Sequence, residues 1–67
     1  MAVIKVIELL AESAESWEDA TNNAFIEAQK TVRNIKSIYI ENFQAIVEGD
    51  HIANYRVNAK ISFAVEH

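Results

Sequence analysis

The chain contains no cysteine and no proline, and it has one glycine among its 67 residues. Without cysteine it can form neither disulfides nor thiolate zinc sites. A single glycine excludes the glycine-rich loops that bind phosphate groups through backbone N–H groups. The hydrophobic content of 51% argues against disorder. The sequence therefore predicts one ordered domain spanning residues 1–67.

A domain of this length is small for independent folding. Such a chain buries only about 60% of the surface that its unfolded form exposes, so its stability as a monomer is marginal. Small folds usually offset this deficit with disulfides, a metal or partner subunits. Because disulfides are excluded, we expect the chain to associate with itself into a homo-oligomer.

Positive charge is also scarce. Six Lys and Arg residues stand against ten Asp and Glu residues, which gives a net charge of −4 and a pI near 5.0. This balance argues against nucleic acid or an anionic membrane as a partner. No apolar run approaches the ~20 residues of a membrane span. Met1–Lys5 lacks the features of a signal peptide, so a cytoplasmic location is expected.

The first segment with a clear pattern, Val3–Ala11, is rich in β-branched residues and predicts a strand. Its only polar members, Lys5 and Glu8, fall on opposite faces. Both faces of this strand are therefore mainly apolar. One helix covers only one face of a strand, so we expect something to cover the other face as well.

A polar turn leads into a predicted helix of about 19 residues, from Trp17 to Ile35, which would be about 28 Å long. Ser16 followed by Asp19 fits a variant of the capping box. Apolar residues recur at the helical spacing of three, four and seven: Trp17, Ala20, Ala24, Phe25, Ala28, Val32 and Ile35. The two central alanines are expected to let the helix approach a sheet closely. Three cations fall late in the segment, where the helix dipole favours them: Lys30, Arg33 and Lys36.

Two more strands are predicted, Ser37–Glu48 and Ile52–Glu66. In the first, the apolar parity switches around Glu41 and Asn42, which predicts a β-bulge. Gly49 marks the turn between the strands. The last strand alternates strictly and would extend about 50 Å, so it must curl around the helix or reach a partner. The predicted fold is α+β, a β-α-β-β subunit with a curved three-stranded antiparallel sheet wrapped around one helix.

The sequence contains Val6–Leu10 before a polar turn, Ser16–Ala20, Lys30–Ile35, and Tyr55–Val57 with Ile61–Phe63. Together these segments resemble the dodecins, small flavin-binding proteins that form hollow spherical dodecamers. Their order and spacing across nearly the whole chain carry the likeness. The resemblance implies the β-α-β-β subunit fold, a homododecamer, and a non-catalytic role in binding or storing a small ligand, namely a flavin such as FMN or riboflavin.

The sequence departs from this family at the two positions that bind flavin. Dodecins cover the flavin ring with a tryptophan just after the helix, and a glutamine in the last strand bonds its polar edge. The corresponding residues here are Ser37 and Arg56, while Trp17 matches the helix-start tryptophan of the family. Tyr39 lies on the same strand face as Ser37 and offers a smaller aromatic surface. The resemblance thus implies an altered pocket at Ser37, Tyr39 and Arg56, with flavin binding weak or lost.

Other interpretations stay open. Ser37 and Arg56 also fit a plain strand start and an interface salt bridge. Some members of the family lack the flavin residues and are associated with calcium instead, and this chain resembles that branch at both positions. A flavin-free structural or calcium-binding dodecamer is therefore the alternative function.

Carboxylates and histidines give only weak functional signals. The carboxylates of Glu41, Glu48 and Asp50 do not follow an EF-hand pattern, and we interpret them as solvated acids. His51 and His67 have no nucleophile or base at a recognisable spacing, so no enzyme is expected.

Overall fold

The computed structural model describes residues 3–65. Its elements are β1 (Val3–Ser13), α1 (Trp17–Gln29), β2 (Ile35–Glu48) and β3 (His51–Val65). The three strands form one antiparallel sheet in the order β1-β3-β2, so the longest strand lies in the centre. The predicted α+β class and β-α-β-β order are confirmed. Glu66, predicted as the end of the last strand, and His67 lie outside the described residues.

The helix begins where the sequence predicts. Ser16 is the N-cap with an extended backbone, and its hydroxyl accepts a hydrogen bond from the backbone N–H of Asp19 at 2.9 Å. This bond satisfies one of the backbone donors that the first helical turn leaves without a partner.

The predicted end of the helix at Ile35 is wrong, because α1 ends at Gln29. The N–H groups of Thr31 and Val32 both donate to the carbonyl of Ala28, which closes the last turn. Asn34 then adopts a left-handed conformation with φ of 61°, and this reverses the chain so that β2 starts at Ile35.

The early end of the helix also changes the place of the three cations. Lys30 is the C-cap residue, Arg33 lies in the connector and Lys36 lies in β2. The prediction that they sit at the C-terminal end of the helix therefore holds for Lys30 and is wrong for Arg33 and Lys36. The three cations are spaced as in a helix, but Asn34 redirects the chain before a longer helix could form.

The strands follow the predicted pattern closely. β1 runs two residues further than predicted, to Ser13, and β2 starts two residues earlier. A register shift between Ile40 and Asn42 confirms the predicted bulge. Gly49 has φ of 64° in the tight turn between β2 and β3, a conformation that glycine adopts without the steric cost of a Cβ.

The core lies between α1 and one face of the sheet, which we call the inner face. Ala24 and Ala28 of the helix form a buried cluster with Ala59 and Ile61 of β3. Ala20 and Val57 are fully buried as well. This confirms the close approach predicted from the alanines. Ile7, Leu9 and Ala11 of β1 pack against the same core.

The opposite face of the sheet, which we call the outer face, has no helix on it among residues 3–65. Ile4, Val6 and Leu10 of β1 point to this face and are 56%, 57% and 68% exposed. The chain is elongated, with extents of 52 × 19 × 13 Å and a radius of gyration of 13.8 Å. A compact domain of this length has a radius of gyration of about 11 Å. One chain therefore leaves the second apolar face of β1 uncovered.

Candidate functional site on the outer face of the sheet

The register of the sheet places all three predicted site residues on the outer face. Ser37 lies opposite Ser62, and Tyr39 lies opposite Lys60. Residues that face each other in an antiparallel pair share a face, and these β3 residues alternate with the buried Ile61. Arg56 has the same parity in β3 and points to the same side.

Ser37 and Tyr39 form one end of the candidate site. The hydroxyl groups of Ser37 and Ser62 share a hydrogen bond of 2.5 Å across the two strands. The side chain of Tyr39 is 66% exposed. This part of the face offers hydroxyl groups and one exposed phenol, and no large ring from residues 3–65 covers it.

A charged pair that sequence reasoning missed lies beside Tyr39. The Lys60 ammonium group is 3.1 Å from a carboxylate oxygen of Glu41, and Glu8 lies opposite Lys60 on β1. The hydrogen bond from Lys60 to Glu41, and then the charge of Glu41, raise the pKa of Lys60 above its ordinary value. The bulge between Ile40 and Asn42 was the only sequence signal for this pair, because it changes the placing of Glu41.

Arg56 is held inside the chain by partners on both neighbouring strands. Its Nε donates to Oε1 of Glu12 at 2.7 Å, and one terminal nitrogen donates to Oε1 of Gln44 at 3.5 Å. Glu12 and Gln44 are its direct neighbours in the register. The guanidinium thus forms a salt bridge within one chain, and a ligand would have to compete with Glu12 for it.

The structure brings Ser37 and Tyr39 together but keeps Arg56 apart from them. Tyr39 faces Lys60, which is four residues from Arg56 along β3. Four residues of a strand span about 13 Å. The three predicted residues therefore share a face without forming one pocket in a single chain.

Trp17 packs at the junction of helix and sheet. Its indole N–H donates to the carbonyl of Gln44 at 2.9 Å. Its ring makes edge-on contacts with Phe43 and Tyr55, with centroid distances of 5.9 Å and 5.0 Å. These contacts use the ring and its donor for packing, so Trp17 does not replace the missing stacking residue at position 37.

A groove of about 950 Å³ lies between the N-terminal half of α1 and residues 35–38 of β2. Its apolar side chains are Phe25, Ile35 and Ile38, and acidic residues including Glu15 and Glu18 line it as well. The groove was missed from the sequence because the predicted helix was six residues too long. A longer helix would have covered the start of β2.

The carboxylates of Glu41, Glu48 and Asp50 do not form a cation site in one chain. Within residues 3–65 no three His, Asp or Glu side chains are grouped so that they could hold a metal ion. Glu41 pairs with Lys60, while Glu48 and Asp50 lie at the turn between β2 and β3. A calcium site made by one described chain segment therefore does not fit these residues.

The single helix that the structure describes is not long and apolar enough to cross a membrane.

Comparison with known proteins gives a consistent result. The dodecin family model matches residues 3–66. No curated protein matches the sequence. A T. thermophilus dodecin variant in which an arginine is replaced by alanine is 27% identical in sequence. Its crystal structure has a TM-score of 0.94, covering 100% of this chain and 98% of that chain.

Two more solved structures extend the comparison. The calcium dodecin of Mycobacterium tuberculosis, described as a calcium-chelating immunodominant antigen with a novel calcium-binding site, is 28% identical with a TM-score of 0.83, over 96% of this chain and 91% of that one. The dodecin of Streptomyces coelicolor has a TM-score of 0.93 over 98% of this chain and 94% of that one, and at 23% identity it shows the shared fold alone. With its matching family model and fold, this chain belongs to the dodecin family.

Proposed function

We propose that the chain is a subunit of a hollow homododecamer that binds or stores a small ligand, and that it holds flavin weakly or not at all. Membership of the dodecin family supports a small-ligand-binding role. One observation supports weak flavin binding above all. At Ser37 on the outer face, the hydroxyl groups of Ser37 and Ser62 bond to each other where a stacking ring would be needed. The cytoplasmic location and the non-catalytic role stay predictions from the sequence.

The proposed ligand residues are Ser37, Tyr39 and Arg56. Aromatic stacking contributes about 0.5–1.5 kcal/mol beyond the burial of the ring, and a missing ring also leaves space unfilled. The exposed phenol of Tyr39 offers part of that surface. Arg56 would first have to leave its salt bridge with Glu12, which adds a cost that a neutral glutamine would not have.

The geometry also supports a site that needs more than one subunit. Arg56 is about 13 Å along β3 from the residue opposite Tyr39. A small ligand on one chain could therefore contact Tyr39 or Arg56, but not both. Exposed apolar residues of β1 flank this face. A second subunit on the face would cover them and would enclose the ligand.

Restoring the two family residues tests this proposal. We expect riboflavin to bind the wild-type protein only weakly, and Ser37→Trp combined with Arg56→Gln to bind it much more tightly. The restored ring stacks on flavin, and the restored amide bonds the polar edge of the ring. Quenching of riboflavin fluorescence during titration measures both affinities.

Val47→Trp is the matched control, because it adds the same ring to an exposed position at the far end of β2. It is expected to leave riboflavin affinity unchanged. Sub-micromolar quenching by the wild-type protein would contradict the proposal of weak flavin binding, and so would a double variant that binds no better than wild type.

The alternative function is a flavin-free structural or calcium-binding dodecamer. It is supported by the presence of a calcium dodecin, that of M. tuberculosis, among the proteins that this chain resembles. Since no metal-binding group of side chains occurs within residues 3–65 of one chain, such a site would need carboxylates from several subunits. Thermal melts with millimolar calcium and with a chelator test the idea, because a ligand that binds only the folded state raises the melting temperature. An unchanged melting temperature would count against it.

A further inference from the structure

The helix α1 does not cover the sheet evenly. It packs mainly on β1 and β3 and makes few contacts with β2. The space that it leaves beside β2 is the groove of about 950 Å³ described above. Phe25 of the helix and Ile35 and Ile38 of β2 line this groove, and all three are partly buried. The groove therefore offers an apolar surface that the chain itself does not fill.

The helix side of the groove changes in character along its length. Glu18, Asn22 and Phe25 all line the groove, and their steps of four and three place them on one side of α1. Glu18 and Phe25 are seven residues apart, which is about 10 Å along the helix axis. The groove thus has an acidic end at the start of the helix and an apolar end at Phe25.

The acidic end carries more negative charge than its surroundings offset. Three acids line it, namely Glu15, Glu18 and Asp19. Among residues 3–65 no salt bridge reaches Glu15 or Glu18, although three glutamates elsewhere each pair with a lysine or arginine. The positive end of the helix dipole amounts to roughly half an elementary charge, which three carboxylates outweigh. This end of the groove therefore attracts a cation.

We propose that the groove binds an amphipathic organic cation, with one ammonium group at the acidic end and an apolar body against Phe25. An apolar surface with a few charged groups is the usual form of a small-molecule site. Lys36 also lines the groove and directly follows Ile35 in β2, so a second positive charge would be repelled at the apolar end. A monoamine therefore fits better than a polyamine, and an anion would face the three acids.

Phenylbutylamine is the probe, because a chain of methylene groups separates its ring from its ammonium group by a length similar to that of the groove. Isothermal titration calorimetry on the wild-type protein as purified should show that this amine binds. Phenylbutanol and phenylbutyrate share the apolar body, and they should bind more weakly, the anion most weakly of all. Added salt should weaken the binding of the amine and leave that of the alcohol unchanged.

Two variants separate the charges from the apolar contact. Glu15→Gln combined with Glu18→Gln should weaken amine binding by roughly fivefold, the effect of two exposed ion pairs, and leave alcohol binding unchanged. Both side chains are exposed, so this variant should fold, and circular dichroism checks it. Phe25→Ala should weaken both ligands, because both lose the contact with the ring. Glu48→Gln combined with Asp50→Asn is the matched control, since it removes two acids at the β2–β3 turn, which does not line the groove.

Three results would overturn the proposal. The first is an amine that does not bind, which includes the case in which another subunit fills the groove. The second is equal binding of the amine, the alcohol and the anion. The third is a control variant that weakens amine binding as much as the groove variant, because the acidity of the whole chain would then explain it. The flavin position proposed above lies on the outer face and is tested with riboflavin, so the two proposals can fail separately.

Discussion

Lys60 and Glu41 show how one extra residue in a strand changes the chemistry of a surface. The bulge at Glu41 lets its carboxylate reach the ammonium group at 3.1 Å, next to the exposed ring of Tyr39. Polar groups thus surround the phenol that remains at the candidate ligand site. A ligand that stacks on Tyr39 would lie beside an ion pair with Glu8 next to it, so an acidic ligand would have to displace Glu41 from Lys60.

The raised pKa of Lys60 predicts a dependence of stability on alkaline pH. The folded-state pKa lies above the ordinary value of 10.5 because of the bond to Glu41 and its charge. The stabilisation is therefore fully present below 10.5 and is lost as the pH rises through the higher folded-state value. We expect the wild-type protein to lose stability in this window, and Glu41→Gln to lose less.

Urea midpoints measured from roughly pH 9 upwards check this dependence. Glu48→Gln is the matched control, because it removes an acid of the same strand that is far from Lys60. An identical alkaline loss in wild type and Glu41→Gln would show that the pair contributes nothing to folding. The difference between the three curves is the informative quantity.

The connector between α1 and β2 depends on a single backbone conformation. Asn34 has φ of 61°, and its carbonyl accepts a hydrogen bond from the N–H of Ala64 at 3.1 Å. Left-handed backbone costs residues with a Cβ roughly 1–2 kcal/mol, and asparagine tolerates it better than most. This residue therefore fixes both the end of the helix and the start of the strand.

Substitution of Asn34 should show this cost. We expect Asn34→Ala to lower the free energy of unfolding by about 1 kcal/mol, and Asn34→Gly to change it by much less, as measured by urea unfolding at one protein concentration. Gly49→Ala is the control, because Gly49 has a similar φ of 64° and a Cβ there would meet no atom within 4 Å. The loss of stability in this variant measures the backbone cost alone. An alanine variant as stable as wild type would contradict a strained connector.

The elements also show what sequence patterns can and cannot predict. The N-cap at Ser16 and the bulge near Glu41 were predicted, because each leaves a signal within a few neighbouring residues. The end of the helix was not, because Val32 and Ile35 continue the helical spacing beyond Gln29. The spacing of apolar residues carries no sign that one left-handed residue, Asn34, redirects the chain.

The candidate site divides in the same way. That Ser37 and Tyr39 share a face follows from the period of a strand. The partners of Arg56 could not be predicted, because they depend on which residues of β1 and β2 lie opposite it in the register. The pairing of β1 with β3 depends on packing across the whole sheet, and the bulges of β2 shift its pairing with β3.

At the scale of the whole molecule, the core is small for the surface that the chain exposes. Its largest fully buried side chains are Ile61 and Val57, and the helix contributes only alanines to the fully buried set. Ile4, Val6 and Leu10 of β1 are exposed in a single chain, and so are Phe43, Val47 and Ile52 of the β2–β3 hairpin. Burial of these residues against other copies would supply the stabilisation that the core lacks.

Linkage between folding and assembly predicts that the melting temperature depends on protein concentration. If subunits unfold as they dissociate, dilution favours the unfolded chains, so the melting temperature falls as the concentration is lowered. We expect the melting temperature to fall clearly over roughly a hundredfold dilution. Circular dichroism measures the melting curves, and a second melt of the same sample checks that unfolding is reversible. Val57→Ala is the control, because a cavity in the core should lower the melting temperature at every concentration and leave the slope intact. A wild-type melting temperature that does not change with concentration would show that the small core suffices for a monomer, and the elongated chain would then need another explanation for its exposed apolar face.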